Sequence, residues 1–227
     1  MEIADTLGQW LKRLEELWPL LWQASLETVY MVFVSTVLSL LFGFIVAVFM
    51  IKYNPHGLRP RVGLYGPLDG LINLPRSFPF IILIISIRPI TKMVMGTTIG
   101  NDAAIFPLTV AAIPLAARLI EASLLEVDKG VIEAARSFGA GDLNITVRVM
   151  LPEALPSIIL NVSVLAINLI GYSAMAGVVG GRGLGDLAIK YGYNRFQTDV
   201  MLLAVFVLLI MVQVMQSSSN YLYKKLR

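Results

Sequence analysis

The sequence predicts an all-α integral membrane protein with five transmembrane helices, and three observations carry that prediction. Of the 227 residues, 57% are hydrophobic and only 15% charged, where an average soluble protein carries about 25% charge. Mean hydropathy is +0.76, and a soluble domain of this size has too little interior to bury so much apolar surface. Three windows hold no charge at all, residues 28–51, 154–181 and 200–223. Each is long enough to cross a hydrocarbon core of about 30 Å at about 1.5 Å per residue.

The elements follow in order. Residues 1–24 mix Glu and Lys and lack an apolar core with a small-residue cleavage site, so they do not read as a secretory signal. Trp10, Leu11, Leu14, Leu17, Trp18 and Leu21 share one helical face. Tryptophan favours the headgroup boundary, so residues 1–24 are expected to form an amphipathic helix on the membrane surface. The alternative is a plain extension of span one. Span one is 28–51. Span two is expected at 77–87; extending it back to 68 admits Asp69, and Pro75 and Pro79 break or kink it. Span three starts at 103–117 and continues past Arg118 and Glu121 toward Glu126. A polar loop, 126–153, leads to span four at 154–181. A second polar segment, 182–199, leads to span five at 200–223 and a basic tail, 224–227.

Lys and Arg near span ends set orientation. With the N-terminus outside, ten cations fall inside and seven outside, leaving Arg76 unassigned. The bias favours an external N-terminus and a cytoplasmic KKLR tail.

Several chemistries are excluded. With no Cys and one histidine, His56, the chain has no thiolate or histidine-cluster metal site. A net charge of +3 with no basic run gives nucleic acid no footprint. No G-x-x-x-x-G-K-[ST] is present, so ATP hydrolysis through a P-loop is not available to this chain. The segment Gly171-Tyr172-Ser173 has the look of a serine nucleophile, but such a serine needs a base within hydrogen-bond reach. His56 is expected at the opposite membrane face, and no span holds a lysine.

Within loop 126–153, residues 131–138 can form about two helical turns, with Gly139 and Gly141 as a stop. Asp142 is a candidate N-cap for a helix running up to Pro152. Glu133-Ala134-Ala135, three residues, Gly139, nine residues, then Val149-x-Leu151-Pro152 resembles the EAA motif of ABC-importer permeases, with Val149 as a conservative departure from Ile. FPFIIL (78–83), GTTIG (96–100), LPEALPSII (151–159), GYSAMAG (171–177) and GGRGLGDLAIKYGYNRFQT (180–198) are similar to segments of methionine ABC-importer permeases. The resemblance covers roughly residues 25–223 and leaves the tryptophan-rich N-terminus outside.

The resemblance implies a type I permease domain over 25–223, in a subunit that moves methionine, in D- and L-forms, inward across a bacterial inner membrane. It implies a coupling helix that docks on a separate ATPase, with Glu133, Ala134, Ala135 and Gly139 as its contact residues. No cofactor is expected on this chain; ATP and magnesium belong to the partner. The expected partners are a second copy of the chain, two ATPase subunits, a periplasmic or lipid-anchored methionine-binding protein and membrane lipids. Ser157, Asn161, Asn168, Tyr172 and Met175 share a face of span four at spacings of 4, 7, 4 and 3. Polar groups in hydrocarbon face protein or water. They therefore read either as a pathway lining or as interhelical hydrogen-bond glue. The resemblance favours a lining at the end that carries Tyr172 and Met175, with Ser173 beside them. A permease for another small solute, an intramembrane serine hydrolase centred on Ser173 and a passive channel are the rival readings.

Overall fold

The computed structural model describes the backbone of residues 2–177 and 180–226, and the side chains of residues 12, 13, 15–177 and 180–226. Nine helices make up the described chain: α1 (Glu2–Tyr53), α2 (Val62–Arg76), α3 (Phe80–Ser86), α4 (Arg88–Met95), α5 (Asn101–Leu125), α6 (Lys129–Ser137), α7 (Asp142–Ala176), α8 (184–193, π-helical over Ala188–Tyr193) and α9 (Thr198–Leu226). No strand occurs among the described residues. Four helices are long and apolar enough to span a bilayer: the 15–53 part of α1, α5, α7 and α9. The fifth expected span is the pair α2 and α3, bent by 94° at 77–79. Pro79 lacks an N–H and sits in extended geometry before α3, so the helix stops and restarts in a new direction.

Three boundaries differ from expectation. Residues 2–53 form one helix with no break at Pro19, so the N-terminal segment extends span one rather than forming a separate surface helix. Leu17, Leu21 and Ala24 are buried against Leu184, Leu187, Val200 and Ala204, and this apolar contact holds the extension in line. Trp18 and Trp22 remain exposed and stack at 6.4 Å; the side chains of Trp10, Leu11 and Leu14 lie outside the described residues. Gly141, not Asp142, occupies the N-cap of α7. That helix does not stop at Pro152. It runs through a π-turn at Ile145–Met150, and Pro152 then stands where a new α-segment begins and its missing N–H is tolerated. Its C-terminal end comes at Ala176; residues 178–179 of the expected span, and Arg227 of the tail, lie outside the described residues.

The core is built on α1, which packs along most of α5, with α7 crossing both and α9 lying on α7. Small residues allow the close approach: a methyl on Gly43 would lie 2.7 Å from the Ala116 Cβ. One end of the bundle carries the turn at 54–61, α6 and the start of α7. The other carries the 96–100 turn, α8 and the start of α9. The 96–100 and 180–182 segments meet there through Gly100 N–H to Gly180 O at 2.9 Å and Arg182 N–H to Asn101 Oδ1 at 3.0 Å.

Candidate functional site

The first site is α6. Asp128 caps its N-terminus by accepting from Gly130 N–H at 2.7 Å. Its C-terminus closes as a Schellman motif: Gly139 N–H reaches Arg136 O at 2.8 Å and Ala140 N–H reaches Ala135 O at 3.2 Å. The motif needs a left-handed residue, and Gly139 supplies it at φ 80°. A short helix capped at both ends holds its shape without being buried. Glu133, Ala134 and Gly139 are exposed, and Phe138 is 91% exposed. Val131, Leu143 and Val147 add exposed apolar surface nearby. Ala135 differs from the expected set: it is half-buried against the chain's own cluster of Leu58, Leu124, Val127 and Ile145.

The turn at 54–61 forms a bracket behind α6. Arg136 donates to Leu58 O, and Asp142 pairs with Arg59 at 2.7 Å and lies 4.0 Å from Lys52. Asn54, in the same turn, donates to Glu121 Oε1 at 2.7 Å. Glu121 is 3% exposed and also accepts from the Tyr65 hydroxyl at 3.0 Å and from Arg118 at 3.0 Å. Arg118 in turn pairs with Asp69 on α2. A buried carboxylate persists only when so partnered. This network ties the bracket to the broken span. The sequence signal for it was the Arg118 and Glu121 pair, three apart inside an otherwise apolar helix.

The second site lies on α7, where the structure divides the expected face. Asn161 donates to Ser123 Oγ at 2.8 Å and Leu119 O at 3.3 Å, so it fastens α7 to α5. Ser173 is 2% exposed and bonds its own helix at Ile170 O, 2.8 Å; it lies inside the protein, off any open path. Asn168 is exposed, donating only to Val164 O at 2.8 Å. Met175 is 46% exposed. Tyr172 stacks on Phe80 with ring centroids 4.6 Å apart. Asn168, Tyr172 and Phe80 line a cleft of about 180 Å³ at the break in the bent span, with Arg76, Phe78 and Leu115. Arg76, left unassigned by charge counting, is thus beside two of the five pathway candidates, Asn168 and Tyr172. Its sequence signal was its place between Pro75 and Pro79.

The glycine-rich run 180–186 is a close-packing device. A methyl on Gly185 would lie 2.2 Å from the Ala174 Cα, and one on Gly177 would lie 2.6 Å from Asp186 N. Leu184 N–H donates to Thr28 Oγ1 at 2.9 Å, pinning this segment to α1. Asp186 is half-buried there, and desolvation raises its pKa above the ordinary carboxylate value, with Lys190 and Arg182 opposing and Glu27 adding to the rise.

The model of the binding-protein-dependent transport system inner membrane component matches residues 39–227. The chain is 42% identical, over 97% of itself and 97% of the relative, to a probable D-methionine transport system permease protein MetI of Vibrio cholerae. It is 39% identical to the methionine import system permease protein MetP of Bacillus subtilis, over 86% of this chain and 88% of that one. Among solved structures, the inward-facing MetNI methionine ABC transporter superposes with a TM-score of 0.90 at 38% identity, covering 94% of this chain and 99% of that one. The Vibrio match reaches most of the first 24 residues, which were expected to fall outside the resemblance. The chain belongs to the binding-protein-dependent transport system inner membrane components, and it has the all-α, type I importer permease fold.

Proposed function

We propose that this chain is the permease subunit of an ATP-driven importer that carries methionine inward across the inner membrane. The carrying observation is α6: a helix capped at both ends, bracketed from behind and exposed in front, on a chain with no nucleotide-binding motif. A rigid exposed helix with a bare Phe138 is suited to a protein partner, and the likeness to methionine permeases supports an ATPase as that partner. Two copies of the chain would place a pathway on their two-fold axis. ATP and magnesium would sit on two ATPase subunits, and a methionine-binding protein would deliver cargo at the 180–197 end. The N-terminus is then external and the KKLR tail cytoplasmic, in keeping with the positive-inside bias.

Glu133, Ala134, Phe138 and Gly139 are the docking contacts in this reading, with Ala135 anchoring the helix from behind. Ala134→Trp is the informative variant, since its side chain meets the partner and not the protein's own core. It should leave membrane insertion and thermal stability unchanged while abolishing copurification of the ATPase and methionine uptake. Normal copurification would refute the docking assignment. Uptake of labelled methionine by vesicles holding the chain, its ATPase and its binding protein tests the cargo, and no uptake would refute it.

A further inference from the structure

The cleft at the bent span holds a cation without a counter-charge. Arg76 ends α2, beside the break, at the level of Ala111 and Leu115 in the middle of α5. Among the described residues its guanidinium meets no carboxylate; it makes one hydrogen bond, 3.3 Å to Asn73 Oδ1. Asp69, the acid two turns back on α2, is committed to Arg118. Asn73 donates to Asp69 at 3.1 Å, so it presents only its oxygen to Arg76. Arg76 is exposed at the mouth of the cleft, and ionisable residues among spans face the bundle interior or a water-filled cavity and mark substrate pathways. The guanidinium offers a planar fork of donors that matches a carboxylate with two parallel bonds.

The rest of the cleft completes a second half. Asn168 spends an N–H on Val164 O, leaving its side-chain oxygen free to accept from an ammonium group. The stacked rings of Phe80 and Tyr172, with Phe78, supply aromatic faces that attract a cation and apolar walls for a side chain. Among the described residues, neither an acid nor a second base lines the cleft. An engineered apolar cavity of about 150 Å³ takes benzene, so about 180 Å³ has room for a small amino acid.

We propose that Arg76, Asn168 and Tyr172 form a membrane-embedded binding site for a zwitterionic α-amino acid with an uncharged side chain, in which Arg76 holds the carboxylate. The proposal rests on the importer reading above and adds to it a cargo site within the permease. The site favours a neutral zwitterion because it offers one cation, one amide oxygen and no acid. Lysine and arginine would bring an extra positive charge beside Arg76, and aspartate and glutamate would bring a carboxylate with no partner.

The test uses the complete complex of this chain and its ATPase in vesicles. The chain has no native cysteine, so Ala111→Cys, half-buried in the cleft, gives the permease one thiol, whose alkylation is read on the permease band alone. Its alkylation rate is measured with methionine and with 3-methylthiopropylamine, the same molecule without its carboxylate. Methionine should slow alkylation at least fivefold and the amine should not. Adding Arg76→Ala should abolish the protection, and Arg76→Lys should restore only part of it. Equal protection by the two compounds, or none by methionine, overturns the site. Because that comparison is made on the complex that keeps Arg76, it stands even if the Arg76→Ala chain fails to assemble. Methionine uptake by the same vesicles, supplied with the binding protein, is followed in parallel. Uptake without carboxylate-dependent protection overturns the Arg76 site alone, whereas absence of uptake overturns the cargo assignment.

Discussion

Gly139 and Gly185 stand at opposite ends of the bundle and are needed for opposite reasons. At Gly139 a methyl would meet no atom within 4 Å, but the backbone is left-handed at φ 80°. At Gly185 the helical backbone is ordinary, and the same methyl would sit 2.2 Å from the Ala174 Cα. One glycine shapes a helix that stands clear of the body, and the other lets two backbones touch. The difference separates a helix held out from the body from a segment packed backbone to backbone within it.

Substitutions can break this comparison. Gly185→Val should have the largest effect, since backbone on both sides cannot yield as a flexible side chain would. Overpacking costs about 1–3 kcal/mol where side chains can move, so this variant is expected to exceed that range and to lose the folded permease in size-exclusion chromatography. A well-behaved Gly185→Val protein would show that the two segments separate freely. Gly139→Ala should be milder, about 1–2 kcal/mol for a left-handed non-glycine residue, falling on the helix cap and leaving the bundle intact. Its signature is weaker ATPase binding in detergent with an unchanged melting temperature of the permease, and Gly139→Asn should recover part of the loss. A drop in permease melting temperature equal to that of Gly185→Val would erase the distinction.

The smallest effect concerns the charge of Asp186, next to Gly185. Burial raises the pKa of Asp186 in the folded state, so folding penalises its charged form. The penalty is absent well below the ordinary value of 3.8, grows as pH rises through it, and is constant above the raised native value. Asp186→Asn should therefore stabilise the protein slightly at pH 7 and give no gain near pH 3. Thermal unfolding at the two pH values checks this, and a destabilised variant at pH 7 would mean that Lys190 and Arg182 outweigh burial.

Much of this architecture was legible in the sequence, because span length, proline breaks and the spacing of Glu133 through Pro152 are properties of the chain itself. What was not legible is what stands opposite each face. Periodicity put Asn161 and Asn168 on one side of α7, but only Asn161 finds a polar partner on α5, so one amide is satisfied across helices and the other bonds its own helix. Ser173 was expected beside the pathway because it neighbours Tyr172, yet a step of one residue turns it about 100° into the core. The proline break beside Arg76 was legible, but the sequence gives no direction for the 94° bend, so that Arg76 meets Asn168 and Tyr172 is seen only in the structure. The continuity of α1 through Pro19 was set by contacts with α8 and α9, far away in the chain.

The π-turn at Ile145–Met150 gives α7 an unusual tolerance to deletion. Leu151 N–H reaches back five residues to Thr146 O, a wider turn that accommodates one residue more than an α-helical turn. Loss of one residue from 145–150 would let this stretch close into regular α-helix and leave every downstream side chain pointing where it does now. The same loss between 155 and 160 has no slack to absorb it. It would swing Asn168, Tyr172 and Met175 by about 100° around the helix axis and empty the cleft of its amide and its ring. Length variation along this helix is therefore confined by geometry to the six residues that adjoin the docking end.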